Sequence, residues 1–118
     1  MSDKPAHLTV REEGPVKIVE FSDRKILEEL TIREIEEDLF SLVADTTGIK
    51  LLLDFSSVEH LSSAALGMLI NLKNEVDKQK GALKLANINP QILEVFKITK
   101  LTRMFDICDS TRQALAGF

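Results

Sequence analysis

At 118 residues, 44% hydrophobic and 29% charged, the chain has the size and balance of one globular domain, which buries about two thirds of its unfolded surface without metal or disulfide support. Six Phe with no Trp or Tyr, and a formal charge of -4, argue against base stacking and against nucleic acid as the main partner. The lone Cys108 has no second thiol for an intramolecular disulfide or a zinc site. Met1 to Pro5 is polar, without the apolar core of a signal peptide, and no apolar run approaches the ~20 residues that span a bilayer. These features predict a cytoplasmic protein forming a single domain over 1–118, with 1–5 a flexible lead-in.

In chain order, His7 to Arg11 predicts a short strand, Glu12 to Pro15 a turn, and Val16 to Phe21 a half-buried strand that alternates apolar and other residues. Together they predict an opening antiparallel hairpin. Ile32, Ile35, Leu39 and Leu42 then recur at helical spacing, with Arg33, Glu34, Glu36, Glu37 and Asp38 on the other face. Thr31 is the expected cap of this helix, with Glu34 completing a capping box, and Thr46, Thr47 and Gly48 end it. Ile49 to Phe55 is a nearly continuous apolar run that suits a central strand. Ser56 to Leu61 is expected as a loop. A second helix begins at about Ser63, buries Ala65, Leu69, Leu72 and Val76, and ends at Gly81. Ala82 to Asn87 reads as a strand, and Pro90 opens a short helix that buries Ile92, Val95 and Phe96. Leu101, Met104, Phe105 and Ile107 return to the core with a short last strand. Asp109 or Ser110 caps a terminal helix that runs to about Ala116. The alternation predicts an α/β fold: a mostly parallel mixed sheet of four or five strands, right-handed crossovers, and about four helices.

Enzymatic motifs are missing from the sequence. The glycines at 14, 48, 67, 81 and 117 are scattered, which removes the phosphate-binding and dinucleotide-binding loops. His7 and His60 do not share one helix at metal-ligand spacing, and no nucleophile elbow is present. The densest run of acidic residues falls on the outward face of the first helix, as a solvated surface does. The expectation is a protein that is no enzyme and needs no cofactor or metal.

One segment carries more information. Leu51 to Ile70, with Asp54 ending an apolar run and Ser62-Ser63-Ala64-Ala65-Leu66-Gly67 opening a helix, resembles the signature of STAS domains, the fold of bacterial anti-sigma factor antagonists. Gly81 to Pro90, Val95 to Leu101 and Phe105 to Ile107 resemble the same family, so the likeness runs from about residue 6 to 116. It implies that Ser63 is a regulatory phosphoacceptor, with Ser62 as the alternative. Ser62 stands where the family usually has Asp, Ala64 where it has a second Ser or Thr, and Ala65 where it has Gly. Gly67 and Asp54 match the pattern. Ala65 is expected to hinder very close backbone approach by a partner.

The residues alone leave two roles open for the serine pair. Either serine can cap the helix. A phosphate on a first-turn serine would also meet free backbone N–H groups and the positive end of the helix dipole. It would add about -1.5 to -2 charges to any docking face built on Ala64, Ala65 and Gly67. Asp54 either shapes the site or ends its strand. Ser56 and Ser57 are expected as turn residues at the rim, His60 as an exposed loop residue, and Met68 either flanks the face or packs inside. Cys108 reads as a small half-buried hydrophobe. The expected partner surface is therefore Asp54, Ser56, Ser57, His60, Ser62, Ser63, Ala64, Ala65, Gly67 and Met68.

The resemblance implies a regulatory module. It would bind an anti-sigma factor with a kinase-like ATP-binding fold, release a sigma factor, and be switched off by phosphorylation, with a PP2C-type phosphatase restoring it. A second implied reading is a STAS module that is never phosphorylated and serves as a scaffold in a signalling or membrane-transport complex. Neither reading inserts the chain into a membrane.

Overall fold

Gly14 turns the opening hairpin at a φ of +58, in the left-handed region that glycine enters without penalty. The computed structural model describes residues 7–118, so the expected flexible lead-in at 1–5 lies outside the described residues. The hairpin pairs β1 (Leu8–Glu13) with β2 (Val16–Phe21), from Leu8 opposite Phe21 to Glu13 opposite Val16. Strand β1 starts one residue later than His7 and runs two past Arg11. Gly14 and Pro15 alone supply the reversal, which leaves Glu12 and Glu13 extended. Glu12 then faces Lys17 across the strands and pairs with it at 2.9 Å.

The chain next makes a two-residue strand, β3 (Lys25–Ile26), that was not expected. It enters α1 (Glu29–Ala44) ahead of the predicted start. Glu28 is the N-cap, without a side-chain cap, and the ladder opens with Ile32 N–H donating to the Glu28 carbonyl at 3.0 Å. Thr31 therefore lies inside the first turn and makes no capping box. Glu34 turns instead to His7 at 2.8 Å. The early start puts Glu29 at the positive end of the helix, where it also pairs with Arg33 four residues on. Ile32, Ile35 and Leu39 are buried as expected, but Val43 completes the stripe and Leu42 is half-buried.

Strand β4 (Lys50–Asp54) leads through a loop containing β5 (His60–Leu61) into α2 (Ser63–Lys78). Strands β3 and β5 form a separate small parallel pair, β5 within the Ser56 to Leu61 stretch that was predicted to be plain loop. Helix α2 buries Ala65, Leu69, Leu72 and Val76, together with Leu66 and Met68. After it, Lys80 rather than Gly81 takes the left-handed conformation. Gly81 is needed for a different reason: a Cβ there would fall on the Ile49 carbonyl oxygen and within 2.8 Å of the Ile49 side chain.

Strand β6 (Ala82–Ala86) is followed by α3 (Pro90–Ile98), a 3₁₀ turn at Leu101–Arg103, β7 (Asp106–Cys108) and α4 (Thr111–Ala116). Helix α3 packs through Ile92 and Phe96, which leaves Val95 to one side of that stripe and exposed, against expectation. Ser110, not Asp109, caps α4 by accepting from Gln113 N–H at 3.1 Å. The main sheet has the order β1-β2-β4-β6-β7, with β1 antiparallel and the rest parallel. This is the mixed α/β architecture that the alternation predicts. Residues of α1, α2 and α3 share one large core with one face of the sheet. Val16, Ile18, Leu52, Ala86 and Ala114 form a smaller core on the other face, under α4. Because each parallel strand feeds a helix, the carboxyl ends of β2, β4, β6 and β7 and the amino ends of all four helices gather along one edge of the sheet.

Candidate functional site

At that edge, the loop from Phe55 to Ser62 is held from three sides. Asp54, only 6% exposed, ends β4 and accepts from Ser56 N–H and from Asn87 Nδ2, both at 2.9 Å on Oδ1. Asn87 also donates to Thr111 Oγ1 at 2.9 Å, so one amide ties β4, β6 and α4 together. It does so from a left-handed φ of +61, which asparagine tolerates better than most residues. The second hold is Arg24. Its carbonyl accepts from Glu59 N–H at 2.7 Å and His60 N–H at 3.2 Å, while its guanidinium reaches Glu59 Oε2 at 3.0 and 2.9 Å. The third is Asn89, which caps α3 by accepting from Ile92 N–H at 2.8 Å. Its Nδ2 also lies 3.2 Å from the Val58 carbonyl and 3.3 Å from that of Glu59. Beneath the loop, Phe55 and Val58 are buried, and Phe55 stacks at a tilt on Phe21 with ring centroids 5.0 Å apart.

The loop delivers the chain to α2 at a fixed place. Ser62 N–H donates to the Ile26 carbonyl at 3.1 Å, continuing the β3–β5 pairing. Ser62 is extended, with φ -86 and ψ 169, and its Oγ accepts from Ala65 N–H at 3.1 Å. Ser62 is thus the N-cap. Ser63, the first helical residue, is exposed, and among the described residues its hydroxyl makes no hydrogen bond. The backbone link to Ile26 sets exposed Leu27 beside the serine pair.

The ten residues expected at the partner surface separate into three groups. Ser56, His60, Ser63 and Ala64 are exposed, and Ser57, Ser62 and Gly67 are partly so. Asp54 is buried and acts on this edge through the loop it anchors. Ala65 and Met68 are 0% and 3% exposed and pack in the core, so neither lies on the surface. Ala65 has no exposed backbone for a partner to approach, and its Cβ is no obstacle there. Gly67 is the opposite case: a Cβ at this position would meet nothing within 4 Å. Ser56 and Ser57 both approach Glu20 Oε2 at 3.5 Å, which places a carboxylate at the rim.

Arg24, Leu27, Asn87 and Asn89 were not singled out from the sequence. Asn89 was legible, since Asn directly before a helix-opening Pro is a cap-and-first-turn pair. Arg24 was not, because its partner Glu59 is 35 residues away. Among the described residues, no group of three or more His, Cys, Asp or Glu could hold a metal ion. The cavity lined by Phe40, Val43, Ala44, Glu75 and Gln79 lies at the far ends of α1 and α2 from Ser63. No helix among the described residues is long and apolar enough to cross a membrane. Cys108 is half-buried at the end of β7, where desolvation raises its thiol pKa above the ordinary value, helped by the nearby charge of Asp106.

The STAS domain family model matches residues 8–114. BtrV of Bordetella bronchiseptica, named as an anti-sigma factor antagonist, is 27% identical over 85 residues, 72% of either chain. Among solved structures, an anti-sigma-factor antagonist (STAS) domain protein of Planctomyces limnophilus superposes with a TM-score of 0.87 at 19% identity, covering 95% of this chain and 97% of that one. The phosphorylated form of the Bacillus cell fate determinant SpoIIAA gives a TM-score of 0.67 at 13% identity, over 92% and 96% of the two chains.

Proposed function

This chain belongs to the STAS domain family, and we propose that it acts as an anti-sigma factor antagonist whose docking face is the edge around Ser63. Its partner is an anti-sigma factor with a kinase-like ATP-binding fold. That partner transfers the γ-phosphoryl of ATP to Ser63 Oγ, releasing ADP, while a base on the kinase takes the hydroxyl proton. The name of the Bordetella relative supports the antagonist role.

The observation that carries the assignment to Ser63 is the division between the two serines. The Ser62 hydroxyl is engaged as the cap, whereas the Ser63 hydroxyl is exposed and unengaged among the described residues. A phosphate on Ser63 would stand at the amino end of a 16-residue helix, where it is locally stabilised. It would therefore leave the fold intact and change only the face. That face holds exposed Leu27, Ala64 and the open side of Gly67, a small-residue surface suited to close contact. Two added charges there force desolvation on docking and repel carboxylates of a partner. A penalty of about 3 kcal/mol lowers affinity more than ~100-fold.

The test incubates the chain with ATP and a cognate anti-sigma factor kinase and reads intact mass. Wild type and Ser62→Ala are expected to gain one phosphate and Ser63→Ala none. A phosphate retained by Ser63→Ala, or absent from wild type, overturns the assignment.

A further inference from the structure

The charge of this chain is unevenly distributed. Between Glu28 and Asp45 there are seven carboxylates and one arginine. On the outward ridge of α1, Leu30 is 66% exposed, with Glu34 and Glu37 four and seven residues on and so on the same face. The opposite flank of the sheet reverses the sign. The end of α3 and the 3₁₀ turn after it present Lys97, Lys100 and Arg103 around Ile98, which at 72% is the most exposed large apolar side chain described. Lys80, between α2 and β6, lies ahead of the amino end of its strand as these three lie ahead of β7. Among the described residues, no carboxylate lies within salt-bridge reach of these four cations. Glu94, one turn before Ile98, is the acidic group of α3. Lys80 and Lys100 hold left-handed φ values of 59 and 62, positions that glycine would fill with less strain.

We propose that the Ile98 patch is a docking surface for the acidic α1 face of a second copy of this chain. The two most exposed large apolar side chains among the described residues, Leu30 and Ile98, sit in fields of opposite sign on opposite flanks of one molecule. Each surface is thus complementary to the other and not to itself. Such a contact is heterologous: it joins unlike faces, leaves one of each free, and extends head to tail. The Ile98 patch lies at the carboxyl end of α3, away from Ser63, whereas Leu30 lies in the first turn of α1 on the Ser63 side. The contact is argued from charge and exposure alone and does not rest on the function proposed for that serine.

The test is sedimentation velocity on the full chain across a concentration series. At ~0.03 M salt the average size is expected to rise with concentration. At ~0.5 M salt the association constant is expected to fall by about tenfold or more, because exposed charges are then screened within a few ångströms. Lys97→Glu/Ile98→Ser and Leu30→Ser/Glu37→Lys change only exposed residues, and circular dichroism checks that each remains folded. Each variant alone is expected to stay monomeric. An equimolar mixture is expected to form pairs and nothing longer, since one intact acidic face then meets one intact basic face. Wild type that stays monomeric at low salt, association that persists in either variant alone, or a mixture that fails to pair overturns the proposal. A wild-type monomer would leave the patch to an acidic surface on another protein.

Discussion

Ser62 Oγ accepts the Ala65 N–H at 3.1 Å, and this contact gives two adjacent serines different work. The capping serine satisfies one of the free amides that every helix start exposes. Its neighbour is left with its hydroxyl in solvent at the same helix end. Seen from the sequence, either serine could fill either role.

Alanine at the two positions is therefore expected to separate stability from modification. Ser62→Ala removes the cap and lowers unfolding free energy by about 1 kcal/mol. Ser63→Ala stays within about 0.5 kcal/mol of wild type, as exposed substitutions generally do. Urea unfolding of both variants measures the difference. Equal losses, or the larger loss at Ser63, would show that the cap is misassigned.

Gly67 offers a second separation. It lies within α2, where glycine is about 1 kcal/mol worse than alanine, and a Cβ there meets nothing within 4 Å. The fold gains nothing from this glycine, while a closely approaching partner would. Gly67→Ala is expected to raise stability by up to about 1 kcal/mol and to weaken binding to the anti-sigma factor. Thermal unfolding reads the first effect and titration of the labelled partner reads the second. Unchanged affinity would remove Gly67 from the docking face.

Much of this edge could be read from the sequence because it is encoded locally. The apolar run ending in Asp54, the serine pair before a helical stripe and the Pro90 helix start are each visible within a few residues. What was missed depends on partners remote in sequence. The β3–β5 pair has two residues per strand, too short for any periodicity, and exists because Arg24 and Ile26 meet Glu59 to Ser62 in space. The start of α1 was misplaced because Thr31 and Glu34 form a good capping box on paper. In the fold, β3 releases the chain sooner and His7 claims Glu34. Ala65 stood both on the predicted buried stripe and in the family-like docking segment, and Met68 was open between packing and the face. The structure keeps only the buried role for each, as helical spacing beside Leu69 and Leu72 requires.

His7 joins three elements and gives the fold a pH dependence. Its Nε2 lies 2.8 Å from Glu34 on α1, and its Nδ1 lies 2.6 Å from Asp23 after β2. The Asp23 contact is out of hydrogen-bond alignment and is an ion pair when His7 is protonated. The hydrogen bond to Glu34 is the largest influence and raises the His7 pKa; burial, next in size, opposes it, and the charge of Asp23 adds to the rise, so the net direction is upward. Because the folded pKa lies above the unfolded value of about 6.5, the stabilisation is fully present below that value and is lost as pH rises through the folded pKa. His7→Gln is therefore expected to cost more stability at pH 6 than at pH 9. Urea midpoints of both chains across that range provide the check, and a constant difference would mean that His7 contributes only packing.

Asn87 carries both a backbone and a side-chain burden, and two substitutions divide them. Its amide donates to buried Asp54 and to Thr111, and its φ is +61. Asn87→Gly keeps the left-handed backbone and loses the amide. The cost is expected to be about 1–3 kcal/mol, the range for leaving a buried hydrogen-bonding group without its partner. Asn87→Ala loses the amide and also holds a Cβ in a conformation costing about 1–2 kcal/mol, so it should be less stable than the glycine variant by about 1 kcal/mol. Asp54 would keep Ser56 N–H as a donor in both, so the loop should remain formed and phosphate transfer to Ser63 should persist. If Asn87→Gly were as stable as wild type, the link from β4 through β6 to α4 would contribute nothing, and Ser56 N–H alone would hold Asp54.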